Sequence, residues 1–265
     1  MPSNARRYEA FLNRVCAGPY QARPRIFLLM GAMSGLLFFP PAKASAQNMT
    51  LLPSAPVLEP GGLPKGWEPL TFRKIKRHTV YEWSGQDRAV HAVSSASASG
   101  LIYRLDRDVA TAPVLRWRWR VSHTIAKGNE KSKAGDDYAA RVYVTFKYDP
   151  AKAGGGTRFK YGLVKKLYGE YPPHSGINYI WANRLPKGES TPNAYTDRLK
   201  MVAVRSGDAE AGRWVAEERN ILEDYRKLYN EEPPPLAGIA IMTDTDNTGS
   251  QAEAWYADIE LRATP

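Results

Sequence analysis

Asp244, Asp246 and Asn247 stand together in the run Asp244-Thr-Asp246-Asn247-Thr-Gly249. Oxygen donors this close, in a loop with a glycine, suit calcium. The run starts like the helix-flanked calcium loop D-x-D-x-x-G, but Trp255 occupies the position where that loop carries its bidentate Glu. That motif is therefore excluded, and a site at a sandwich edge remains. The competing account is a turn held by Asp and Asn side chains that bond their own backbone. The second constellation is Asp136-Asp137 with Arg141. Successive strand residues face opposite ways, so Asp137, Ala139 and Arg141 are expected on one face. There Asp137 could accept sugar hydroxyls, or form a structural ion pair. The third is aromatic. Tyr179 and Trp181 should share a face, as should Tyr256 and Asp258 on the side opposite Trp255. Aromatic faces stack on the C–H faces of sugar rings; the alternative is a core rich in Trp and Tyr. The fourth is Val114–Val121, VLRWRWRV. It puts Leu115, Trp117, Trp119 and Val121 on one side and Arg116, Arg118 and Arg120 on the other. Those arginines could grip acidic groups by two-pronged hydrogen bonds, or pair with acids of neighbouring strands.

Nucleophilic and zinc chemistry find no support. Cys16 is the single cysteine, and there is neither G-x-S-x-G nor H-E-x-x-H. His78, His91, His123 and His174 are isolated and lack ligand spacing. Two carboxyls across a cleft would suffice for glycoside cleavage. Asp137, Asp258 and Glu260 could supply them, but no residue is assigned a catalytic role. Calcium is the one cofactor for which donors are visible.

Export explains the N-terminal composition. A basic stretch with Arg6, Arg7, Arg14, Arg23 and Arg25 leads into the apolar run Ile26–Phe39 and then Ala44-Ser45-Ala46. This is the layout of a signal peptide over 1–46, cleaved before Gln47. The apolar run falls short of the ~20 residues that span a bilayer, so a retained anchor is the alternative. Cleavage would remove Cys16, six bases and one acid, leaving 31 bases and 26 acids, a net charge of about +5. The expected location is the periplasm or the exterior, with no membrane association after cleavage. No nucleic-acid motif accompanies this mild charge.

The elements that must hold these residues are mostly strands. Residues 47–65 are rich in Pro, Gly and Leu and read as an extended arm. From 66 to 265 a single domain is expected. Strands are predicted at Thr79–Trp83, Ala89–Ser95, Leu101–Leu105, Val114–Val121, Tyr138–Tyr148, Ile177–Asn183, Leu199–Arg205, Trp214–Glu218 and Ile239–Met242, followed by a last one with Trp255, Ala257, Ile259 and Leu261 on one face. About ten strands with turn punctuation predict an all-β, antiparallel sandwich of jelly-roll or lectin-like type. Two short helices interrupt it: Asn220–Tyr229, stopped by Pro233-Pro234-Pro235, and the basic Arg158–Tyr168.

Several strings resemble one bacterial family of exported proteins, the domain of unknown function 3047 family. They are Trp117-Arg-Trp119-Arg-Val121, Gly135-Asp136-Asp137-Tyr-Ala-Ala-Arg141-Val-Tyr-Val, Tyr179-Ile-Trp181, Trp214-x-x-Glu217-Glu218-Arg219-Asn220, Asp224-Tyr225 and Asp244-Thr-Asp246-Asn247-Thr. Their order and spacing run through about Gly66–Leu261. The resemblance implies a single β-rich envelope domain and carries no catalytic residues. The reading that joins these observations is non-catalytic binding of a carbohydrate or similar polar ligand, by Asp137, Arg141, Tyr179, Trp181, Tyr256 and Asp258. A polysaccharide-cleaving hydrolase or lyase on the same scaffold, and a structural or partner-binding envelope protein, are the alternatives.

Overall fold

The computed structural model describes residues 47–150 and 173–263. They form two facing sheets, as expected of a β-sandwich. The six-stranded sheet runs β11 (Val215–Asn220), β6 (Val114–Val121), β13 (Gln251–Arg262), β4 (Ala89–Ser95) and β3 (Val80–Ser84), and β1 (Met49–Leu52) also pairs with β13. The seven-stranded sheet runs β2 (Trp67–Leu70), β5 (Ala98–Arg107), β12 (Leu236–Asp244), β7 (Tyr138–Phe146), β8 (Ser175–Ala182), β10 (Thr196–Ser206) and β9 (Ser190–Asn193). Pairing is antiparallel except between β8 and β10, which are parallel. Besides β1, two short strands are absent from the sequence reading, β2 and β9; they are the outer strands of their sheet and contain Pro69 and Pro192. Proline lacks the N–H that a central strand must donate, so it is confined to such edges.

The arm is part of the sheet. Residues 47–65, expected as an extended linker, supply β1, whose Leu51 and Leu52 are buried. β1 pairs with Ile259–Leu261 where β4, which pairs with Gln251–Tyr256, has ended. Of the two expected helices, the described residues contain one, α1 (Ile221–Tyr229). Asn220 caps its start by accepting from the Glu223 N–H, and Asn230 ends it in the left-handed conformation at φ 55°. The other, Arg158–Tyr168, lies outside the described residues.

The core lies between the sheets and is aromatic. Trp117 and Trp119 meet edge to face at 5.4 Å, Trp117 lies 5.4 Å from Tyr179, and Trp119 lies 5.7 Å from Trp181. Period-two alternation delivers these rings from β6 and β8 to one interior. The polar atoms of three of these rings are used internally. Trp119 Nε1 donates to Glu217, Trp181 Nε1 to the Gly207 carbonyl, and the Tyr179 hydroxyl to Asp224 at 2.7 Å. Asp224 also accepts from Arg219 and so ties α1 to β8 and β11. Among the described residues no helix is long and apolar enough to cross a membrane.

Among the register shifts of the two sheets, two bulges change which residues share a face near the candidate sites. In β7, Tyr138 is opposite Asp244 and Arg141 is opposite Met242, so Ala139 and Ala140 together face Thr243. In β13 the register with β6 shifts between Ala257 and Glu260, and Asp258 takes φ 51°. An extra residue in one strand reverses the facing of everything beyond it. Trp181 is fully buried and fills the interior. Trp181→Ala should therefore cost about 3–5 kcal/mol, the range for deleting a large buried ring. A urea melt of the full-length protein measures it.

Candidate functional site

The β7 bulge gathers a charged cluster on the outer face of the seven-stranded sheet. It turns Tyr138 and Arg141 to the same side, and the Arg141 guanidinium lies 4.7 Å from the Tyr138 ring and 5.3 Å from that of Tyr143. Arg141 donates to Oδ2 of Asp244, at the end of β12, and both side chains are almost fully buried. Asp136 accepts from Tyr138 and Asn193. Asp137 takes three donors: the Asn247 N–H and side-chain amide on Oδ1, and the Thr248 N–H, at 2.7 Å, on Oδ2. The Asp-rich run is thus held by a residue outside it, a contact the sequence did not suggest. The carboxylate that holds the loop comes from before β7, not from the loop itself.

Carboxylates dominate this cluster. One oxygen from each of Asp137, Asp244 and Asp246 lies within 4.8 Å of the others. Burial pushes the Asp244 carboxyl well up; Arg141 pulls it down, while Asp137 and Asp246 add to the rise. Burial also raises Asp136. Asp244 Oδ1, Arg141 Nε and, on the same sheet face, Asn178 Oδ1 are buried without a hydrogen-bond partner. The recess over Arg141, Asp244, Asp246 and Asn247 encloses about 60 Å³. A water occupies about 30 Å³ and ligand pockets run to about 300–1,000 Å³. The recess, which Phe72, Ile75 and Met242 also line, is therefore too small for a sugar ring.

The outer face of the six-stranded sheet is different. Arg116, Arg118 and Arg120 point outward from β6, and each meets an acid: Arg116 with Glu218 at 3.0 Å, Arg118 with Asp258 at 2.6 Å and Arg120 with Asp87 at 3.0 Å. One row of side chains crosses three strands and ends on Trp214, just before β11. His91 stacks on Trp255 at 4.6 Å, Arg120 lies 4.1 Å from the Trp255 ring, and Trp214 covers Arg120 at 5.3 Å and Arg118 at 5.0 Å. Beside this row, between β1 and β11, lies a groove of about 420 Å³ lined by Ser54, Arg116, Arg118, Asp258 and Glu260, with Trp117 beneath. The Trp117 Nε1 is buried and has no partner.

The six residues expected to bind ligand are therefore dispersed. Tyr179 and Trp181 share a face as expected, but it is the inter-sheet face, and both are fully buried. Tyr256 is in the core as well, bonded through its hydroxyl to Thr243 and to the Met242 carbonyl. It does not share a face with Asp258, because the β13 bulge intervenes. For the same reason Trp255 points outward while Ile259 and Leu261 point inward. Asp137 and Arg141 belong to one cluster, joined through Asp244 and the 246–249 loop instead of by strand alternation. Asp258 alone of the six lines the large groove. Sequence reasoning missed Ser54, Tyr138, Tyr143 and Asn178. Tyr143 and Asn178 could have been found by following the outward alternation of β7 and β8 from Arg141 and Ile180.

The two arginine pairs differ in worth. Removing one partner of a buried ion pair costs about 3–5 kcal/mol, because the other charge is left desolvated. An exposed pair contributes about 0–1 kcal/mol. Arg118 and Asp258 are each more than a third exposed. Arg141→Ala should therefore destabilise the protein by about 3–5 kcal/mol and Arg118→Ala by at most about 1 kcal/mol, read from urea midpoints of the two variants.

No curated protein matches the sequence. Among solved structures, the family 11 carbohydrate-binding module of cellulosomal cellulase Lic26A-Cel5E of Clostridium thermocellum is 11% identical, with 83% of this chain and 97% of that chain covered and a TM-score of 0.42. A family 29 carbohydrate-binding module complexed with mannohexaose is 9% identical, with 82% and 92% covered and a TM-score of 0.36. Likenesses at this level say nothing about ligand or activity. The sequence itself is more specific. A family profile described as "Protein of unknown function (DUF3047)" matches residues 65–260, from just before β2 almost to the end of β13, and the chain belongs to that family.

Proposed function

We propose that this domain is a non-catalytic binding module for a carbohydrate or a comparably polar ligand, held in the groove beside the β13 bulge. The observation that carries the proposal is the groove itself. Its volume, about 420 Å³, falls within the range of ligand pockets, and its walls set guanidinium donors beside carboxylate acceptors. A sugar hydroxyl both donates and accepts, so neighbouring hydroxyls can use Arg118 and Asp258 together, or Arg116 and Glu260. Trp214, stacked on Arg118, stands beside the groove and supplies an aromatic surface for a ring. The proposal keeps Asp258 of the residues expected from sequence and adds Arg116, Arg118 and Trp214.

The setting belongs to the same proposal. Residues 1–46, which lie outside the described residues, are read as an export signal, and the ligand as a glycan of the envelope or surroundings. No nucleic-acid role is proposed.

The test is sedimentation of the full-length protein with insoluble cell-wall and extracellular polysaccharides, with an assay of the supernatant for new sugar ends. Protein should enter the pellet and no ends should appear. Hydrogen bonds to charged groups are worth about 1.5–3 kcal/mol each, so an Arg118→Ala, Asp258→Ala double variant should lower affinity at least about tenfold while staying folded. Full retention by that variant would place the site elsewhere. Released ends would make the protein an enzyme, and protein left in solution over every polymer would remove the glycan.

A further inference from the structure

We propose that Asp137, Asp244 and Asp246 form a binding site for a calcium-class divalent cation at the β12–β13 crossing. The position is independent of the groove, which lies on the other sheet. Three features converge there. First, the donors are near enough to share one ion: an oxygen from each residue lies within 4.8 Å of the others. They are all carboxylate oxygens, the kind that calcium and magnesium prefer over softer ligands.

Second, Asp244 holds an oxygen in reserve. Its side chain is about 2% exposed, and Oδ2 is occupied by Arg141. Oδ1 is buried with no donor. An unpartnered buried carboxylate oxygen is costly, and native structures rarely keep one without water or an ion. Asp137 leaves room as well, since its three donors fill three of about four lone-pair positions on an ionised carboxylate.

Third, acids are concentrated here. Asp136, Asp137, Asp244 and Asp246 converge, three of the four are buried, and among the described residues Arg141 is the base that faces Asp244. A cation of charge two would sit between Asp137, Asp244 and Asp246. Arg141 does not compete for that position, because it binds the other oxygen of Asp244 and is held between the Tyr138 and Tyr143 rings. The ion would tie the ends of β7 and β12 to the loop that opens β13. Water and backbone carbonyls would complete a shell of six to eight oxygens.

The experiment uses the full-length protein stripped with a chelator, then titrated calorimetrically with calcium chloride or magnesium chloride alone, with thermal melts in parallel. Calcium should bind at one site. At a hundredfold excess over Kd it should raise Tm by about 5–10 °C, the shift expected for a native-state ligand at that excess in a domain of this size. Asp246 is the partly exposed member, so Asp246→Asn should fold and should lose most of the shift. Asp258→Asn, in the groove, should keep it. A melt and a calorimetric trace unchanged by either ion would overturn the proposal. So would a calcium response that survives in Asp246→Asn or disappears in Asp258→Asn.

Discussion

The packing of Trp117 and Trp119 against Tyr179 and Trp181 decides what every other side chain can do. These four rings come from β6 and β8, one strand in each sheet, and meet across the interior. Their area supplies much of the hydrophobic driving force, at about 25 cal/mol per Å² buried. They also fix which face of β6 and β8 looks outward. Once Trp117 and Trp119 point in, Arg116, Arg118 and Arg120 must point out. Once Tyr179 and Trp181 point in, Asn178 must lie on the far side of its sheet. The polar ends of the rings then demand partners. Glu217, Gly207 and Asp224 supply them for Trp119, Trp181 and Tyr179, and through Asp224 the helix and Arg219 are fixed as well.

A second constraint acts at the end of the sandwich where the chain crosses between sheets. β4 to β5 and β12 to β13 cross side by side, and both crossings would leave backbone groups buried away from water. Side-chain hydroxyls answer for them. Ser94 bonds Ser97 and, at 2.8 Å, Thr245, Thr79 donates to the Thr243 carbonyl, and the Tyr81 hydroxyl donates to the Ser99 carbonyl while accepting from the Thr243 N–H. Thr243 also donates to the Ala139 carbonyl, within the β7 bulge. The bulge that aims Arg141 at Asp244 is therefore held from inside by the same threonine that it faces. A buried polar network of this kind is favourable only when its members are satisfied together. That is why the orphaned oxygen of Asp244, a single residue away, stands out.

Much of this was legible in the sequence, and the misreadings share one cause. Strict alternation in VLRWRWRV gave both faces of β6 correctly, with Arg116 and Arg118 paired to acids on adjacent strands and Arg120 to Asp87 in the β3–β4 turn. The helix was marked by its apolar spacing and by the proline run after it, and the DUF3047 strings turn out to be the joints of the core: Trp119 with Glu217, and Tyr179 with Asp224 and Arg219. Burial was not legible, because an aromatic pair on one strand face reads alike whether that face meets water or another sheet. Facing was lost wherever the period of two was broken. Asp137, just before β7, and Arg141, within it, lie on either side of one bulge, and Asp258 falls inside the bulge of β13 while Tyr256 precedes it. No glycine or proline marks these bulges, and Asp258 enters the left-handed region as an ordinary residue. Partners distant in sequence were equally hidden. Nothing near Arg141 in the sequence points to Asp244, which reaches it because β12 lies between β5 and β7.

The two outer faces handle charge by opposite means, and that difference separates binding from architecture. On the six-stranded sheet each arginine is paired but still reached by water, so a ligand can exchange one hydrogen bond for another at little cost. On the seven-stranded sheet the charges are desolvated, and removing any one of them leaves its neighbours unpaired in a low dielectric. The first arrangement suits reversible contact with a polar polymer. The second suits a permanent fixture, whether it is completed by protons or by an ion. The proposed binding therefore sits beside the β13 bulge, where contacts can exchange, and the aspartate cluster lies where β7, β12 and the start of β13 meet.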